Sequence, residues 1–197
     1  MILLETTNLN QGFDLELWIK ILTDFVALLT LVKAIYEYVK AQKWKKAEFL
    51  AKEVKEFYAN VDVQNALLML DWNEIEIEIP IGEQDSFVFN DKMFKSALIP
   101  HQIKEDFTSE ETKIRLTFDE FLFKFGMFQN YVDSGLIKSE DLRPYFNYFI
   151  DLMGDLSQNR KHADCLKQLW IYIVFYNFIP VIKLLKSFGY DIKESRD

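Results

Sequence analysis

Two side chains that often carry chemistry stand close together in this sequence: His162 and Cys165, three residues apart and therefore on one face of any helix that holds both. Zinc asks for three or four protein ligands. Asp164 lies between them, but the only other imidazole is His101, far away in the chain. The pattern predicts a core thiol beside a surface imidazole, with no metal. Cys165 as a nucleophile would have no base except His101, and no serine stands in a G-x-S-x-G setting. Neither G-x-x-x-x-G-K-[ST] nor G-x-G-x-x-G occurs, so nucleotide phosphates have no evident cradle. An E-x-x-H pair for a di-iron bundle is missing. The Arg-to-His spacing of certain helical ribonucleases is missing too, because Arg160 precedes His162 by only two residues.

Carboxylates give no stronger signal. Glu110-Glu111 and Asp119-Glu120 are adjacent, so they point apart on a helix and read as a solvated face. In Asn130 to Asp141, Gly135 and Ile137 stand where a calcium-binding loop has its glycine and its apolar residue. That alignment puts Val132 on a ligand position and Asp133 off one, which favours an ordinary helix–turn–helix corner. The sequence therefore predicts no catalytic residue, cofactor or metal.

What remains is a surface that can touch something. Lys43, Trp44, Lys45 and Lys46 combine an amphipathic ring with positive charge, suited to anionic lipid headgroups or an acidic partner; the plainer alternative packs Trp44 on its own domain. The segment ahead of them, Leu15 to Val39, is apolar on nearly every face. Its polar residues (Glu16, Lys20, Thr23 with Asp24, Thr30, Lys33, Glu37, Lys40) form one narrow stripe at spacings of mostly three and four.

The kind of scaffold that holds these residues can be read from composition. The chain has 18 Phe, 9 Tyr and 4 Trp against 6 Gly and 4 Pro, which supplies a large core and few turns, and so favours long helices. The net charge of −8 argues against nucleic acid as a partner, since phosphate neutralisation supplies most of that affinity. A single cysteine allows no intrachain disulfide and points to a reducing compartment. No cleavable signal peptide is evident.

The expected fold is mainly α: a long N-terminal helix followed by a helical bundle with one small β-hairpin. Residues 1–14 read as an irregular lead-in, with Asp14 placed to cap the helix after it. Residues 15–60 contain no Gly or Pro and read as one helix. In its second half Ala41, Trp44, Ala47, Leu50, Ala51, Val54, Phe57 and Tyr58 share a face. A helical domain is expected over 61–190, with a hairpin near 74–89, where Glu74-Ile75-Glu76-Ile77-Glu78-Ile79 alternates with period two, and a tail at 191–197. Thr108 or Ser109 opens a long helix that reaches Asp133, and Ser139 caps the next. The uncharged stretch Leu169 to Ile182, interrupted by Pro180, reads as a central core helix.

Two roles fit residues 15–39. As a single-pass membrane anchor, Trp18 and Tyr36/Tyr38 bracket about 27 to 30 Å of helix. The lysines after them put the N-terminus outside and the remainder at the cytoplasmic face of an inner membrane. Asp24 opposes insertion, while Lys20 and Lys33 can extend toward the headgroups. As a cytoplasmic oligomerisation or docking helix, the same stretch buries itself on a protein partner or another copy.

The run Lys40-Ala41-Gln42-Lys43-Trp44-Lys45-Lys46-Ala47-Glu48-Phe49, with Asn65-Ala66-Leu67-Leu68-Met69-Leu70-Asp71-Trp72, resembles a bacterial family of small helical proteins catalogued only as a domain of unknown function. Tyr131 to Ile137 and Leu142-Arg143-Pro144-Tyr145 fit the same likeness, which covers about residues 35–185. It implies a helical fold, often with an apolar helix ahead of the W-K motif, and no activity, cofactor or catalytic residue. The expected function is a non-enzymatic helical interaction or accessory protein.

Overall fold

Uninterrupted by Gly or Pro, residues Leu15–Ala59 form one helix, α1, in a computed structural model that describes residues 15–78 and 86–192. The expected lead-in, most of the hairpin turn and all but two residues of the expected tail lie outside the described residues. The chain divides between Ala47 and Glu48 into two units, and α1 contributes to both.

The second unit begins with the last turns of α1, which bury Leu50, Val54 and Phe57. Asn60 breaks the helix and caps the next, its side chain accepting from the Val63 amide over α2, Val61–Asp71. Strands β1, Glu74–Ile77, and β2, Phe87–Asn90, pair antiparallel with Ile75 opposite Phe89 and Ile77 opposite Phe87. The alternation is realised as expected: Ile77 and Phe89 are buried, while Glu74 and Glu76 face solvent. Asn90 then caps α3, Asp91–Ala97.

Helix α4, Ser109–Asp133, packs against α2, α3 and α7 (Ile179–Ser187) and forms the centre of this unit. It opens with a capping box in which Thr108 accepts from the Glu111 amide and the Glu111 carboxylate accepts from the Thr108 amide. Gly126 on α4 lets α7 approach closely, since a Cβ there would sit 3.1 Å from Pro180 Cβ. Gly135 comes after the helix end with φ of +74°, the left-handed conformation that suits glycine.

Helix α5, Ser139–Gly154, differs in its cap from the sequence expectation. Ser139 is the first helical residue, and the Lys138 amide donates to the Asp141 carboxylate, so Asp141 secures the helix start. Helix α6, Ala163–Phe175, is followed by Asn177 with φ of +55°, and Pro180 restarts the chain as α7. Leu169, Tyr172, Ile173, Val181, Leu184 and Leu185 are buried, so this stretch is core.

An aromatic cluster ties the last turns of α1 to α4 and α5. The Phe57 ring lies 5.3 to 6.1 Å from the rings of Phe121, Phe125, Phe128 and Phe146, in edge or tilted geometry.

Candidate interaction surface

No residue from Leu15 to Lys45 is buried. Ile21, Leu22, Phe25, Val26, Leu28, Leu29, Leu31, Val32, Ile35 and Val39 are each 46% to 66% exposed. Trp18 is also exposed, as are Lys20, Asp24, Lys33, Lys43 and Lys45, while Lys46 is half-buried. Trp44 is 70% exposed, which corrects the expectation that Ala41, Trp44 and Ala47 continue the packed face: burial begins at Phe49 and Leu50. Helical periodicity extends past the residues that meet a core, and periodicity alone does not mark where the core stops.

The spanning role for residues 15–39 is also corrected. Among the described residues no helix is long and apolar enough to cross a membrane. The cause is the spacing of charge. Within α1 the longest run free of Asp, Glu, Lys and Arg is Phe25 to Val32, eight residues where about 20 are needed. Lys20 and Lys33 can extend toward headgroups, but Asp24 is short and costs about 2.5 to 3.5 kcal/mol at a bilayer centre.

The polar stripe is less polar than its composition. Thr23 Oγ1 donates to the Ile19 carbonyl and Thr30 Oγ1 to the Val26 carbonyl, each at 2.8 Å, so both hydroxyls are satisfied within the helix. Glu16, Thr23, Thr30 and Glu37 recur every seven residues, and on the opposite side Ile21, Phe25, Leu28, Val32, Ile35 and Val39 alternate at spacings of four and three. That is the seam pattern of helices that supercoil around one another.

The polar groups of the second unit fall into separate clusters. His162 is exposed and Cys165 is buried, its thiol pushed up to about 11 first by burial and then by the nearby Asp91. His101 sits at the other end of α6, where its Nδ1 lies 2.7 Å from the Tyr176 hydroxyl. Eleven residues of helix and cap, about 16 Å at ~1.5 Å per residue, separate Cys165 from Tyr176. His101 and Cys165 therefore form no pair.

Two cation sites carry no signal in the sequence. Lys161 has a side chain with no solvent exposure; its ammonium donates to the carbonyls of Met69 and Trp72 at 2.8 Å each and lies 2.6 Å from Asp91 Oδ1. Burial pushes its pKa down, and Asp91 opposes that shift. It closes the C-terminal end of α2, where carbonyls lack helical partners. Arg115 donates to the carbonyls of Ala97 and Ile99 and to the Tyr176 hydroxyl, with its guanidinium 4.3 Å from the Phe107 ring centre. Next to it the Tyr172 hydroxyl donates to Asp119, whose pKa burial raises. Both cations hold backbone carbonyls at the ends of chain segments, which is a positioning arrangement. Among the described residues no group of His, Cys, Asp and Glu is assembled to hold a metal ion. No family model, curated protein or solved structure matches this chain.

Proposed function

We propose that this chain is a non-enzymatic helical interaction protein that uses the Leu15–Val39 stretch of α1 as its contact surface. The observation that supports this reading is the exposure of ten large aliphatic and aromatic residues along one continuous helix. Full burial of such a side chain is worth ~1.5 to 3 kcal/mol, so half-exposed ones retain about 1 kcal/mol each. Six of them, Ile21, Phe25, Leu28, Val32, Ile35 and Val39, share one side, so two such sides in contact release about 12 kcal/mol, against ~4 to 15 kcal/mol for lost freedom on association. A surface of this kind favours a partner over water. The W-K segment fits the same reading, with an exposed Trp44 among lysines at the end of the apolar stretch.

The test compares the full chain with a variant carrying Phe25→Gln, Leu28→Gln, Val32→Gln and Ile35→Gln, by light scattering and by the fluorescence of a hydrophobic dye. The parent is expected to assemble or to bind dye, and the variant to do neither. Identical behaviour of the two would sink the proposal. Exposed Trp44 with Lys43 and Lys45 favours a second reading, in which the stretch rests at a lipid surface with its lysines on anionic headgroups. Co-flotation of the parent with phosphatidylserine vesicles, and not with phosphatidylcholine vesicles, tests it.

A further inference from the structure

We infer that the occupant of this surface is a second copy of the same chain, lying antiparallel along residues 21–39; the inference rests on the contact role proposed above. Three features of the helix carry it. The first is the seven-residue period. A helix that keeps apolar residues at Ile21, Phe25, Leu28, Val32, Ile35 and Val39 holds its seam toward a neighbour on the same supercoil. A lipid surface selects no such period.

The second feature is that the pattern reads the same from both ends. Reversed about Thr30, Phe25 falls level with Ile35, Leu28 with Val32 and Ile21 with Val39, so the seam meets itself. A two-fold axis perpendicular to the helix pairs residue i with j and j with i, so an isologous antiparallel contact requires this symmetry.

The third feature is charge. Lys33, Lys40, Lys43, Lys45 and Lys46 crowd one end of residues 15–47 against a single Glu37, while Glu16 and Asp24 flank Lys20 at the other. Parallel copies set the lysine-rich ends together. Reversal about Thr30 sets Glu16 level with Trp44, between Lys43 and Lys45, and Glu37 level with Thr23, between Lys20 and Asp24; Lys20, level with Lys40, has the other copy's Glu37 within one turn. The two ends lie several screening lengths of ~8 Å apart, so each end is decided by its own neighbours.

Cysteine cross-linking of the full chain reads both partner and orientation. Native Cys165 is buried with its thiol pushed up to about 11, so it stays silent. Ile21→Cys and Val39→Cys variants, made separately with different tags, are oxidised alone and after co-expression. The expected result is a mass of at least twice 23.5 kDa by light scattering and a 21-to-39 disulfide that dominates only in the co-expressed sample. Strong homodimer disulfides from each variant alone would overturn the antiparallel arrangement. A monomeric mass at all concentrations would overturn the second copy as occupant. If that monomer still binds dye, or floats with vesicles, the contact role survives with a different partner; if it does neither, both readings fall together.

Discussion

Lys161 Nζ lies 2.6 Å from Asp91 Oδ1, and the lysine side chain has no solvent exposure while the aspartate keeps 17%. Both carboxylate oxygens of Asp91 are nonetheless shielded from solvent, which predicts a large cost for removing either partner. Asp91→Ala leaves a buried ammonium without its counter-charge and is expected to destabilise by about 3 to 5 kcal/mol. Lys161→Met leaves a shielded carboxylate at the start of α3, together with two carbonyls of the α2 end that lose a donor, and should cost about as much, ~3 to 5 kcal/mol. Urea unfolding of the two single variants measures both. A loss below about 1 kcal/mol for either would show that water enters and solvates the charge left behind.

Lys161 also shows what a sequence conceals. It stands in Arg160-Lys161-His162, a polar run that reads as solvated, and only tertiary packing places Met69, Trp72 and Asp91 around it. Arg115 is similar: one residue past the core position Ile114, nothing local says that the Ala97 and Ile99 carbonyls await it. Local signals are readable where local physics decides. The absence of Gly and Pro marks α1, the Thr108–Glu111 box opens α4, and the Glu/Ile alternation marks β1. The α5 cap is ambiguous in sequence because Ser139 and Asp141 both have capping chemistry, and the backbone geometry selects Asp141. The packed face stops short of Trp44 because a helix repeats its pattern whether or not a core lies beside it.

Phe57 ties the last turns of α1 to the rest of the second unit. Its ring is buried among four phenylalanine rings from α4 and α5, so truncation leaves a cavity that rigid neighbours cannot fill. Phe57→Ala is expected to cost about 3 to 5 kcal/mol, and Phe57→Leu distinctly less. Thermal unfolding monitored by near-ultraviolet circular dichroism reports both. A loss below about 1 kcal/mol for the alanine variant would mean the cluster repacks freely.

Alkaline pH should weaken this fold through its tyrosines. Burial, reinforced by Glu53, pushes Tyr131 up to about 12, and burial with Asp151 does the same for Tyr190. Each phenol is protonated in the folded chain over a range where the unfolded chain has already lost the proton. Their stabilisation is fully present below about pH 10 and disappears as pH rises from there to about 12. Lys161 acts in the opposite sense, because its folded pKa is depressed, but its influence ends near 10.5, where the unfolded lysine also becomes neutral. Unfolding midpoints in urea should therefore fall steeply between about pH 10.5 and about pH 12. Tyr131→Phe should flatten that fall, and an unchanged slope would remove Tyr131 from the explanation.

Gly154 and Tyr190 give a sharper test of close packing. Gly154 is the last residue of α5, and a Cβ built there would overlap the Tyr190 ring, whose hydroxyl donates to Asp151 one turn earlier in the same helix. The ring is held at both ends: it lies against the glycine, and its hydroxyl is tied to the carboxylate. A methyl at position 154 must displace the ring and break that hydrogen bond together. Gly154→Ala is expected to destabilise by about 1 to 3 kcal/mol despite the better helix propensity of alanine. The Tyr190 Cβ would itself sit 2.8 Å from the added methyl, so removing the whole side chain first should reverse the sign: in a Tyr190→Gly background Gly154→Ala becomes neutral or mildly stabilising. A double-mutant cycle measures that coupling directly. Additivity of the two substitutions would mean that the chain beyond α7 moves aside without cost, and that the contact contributes nothing to holding residues 188–192 on the fold.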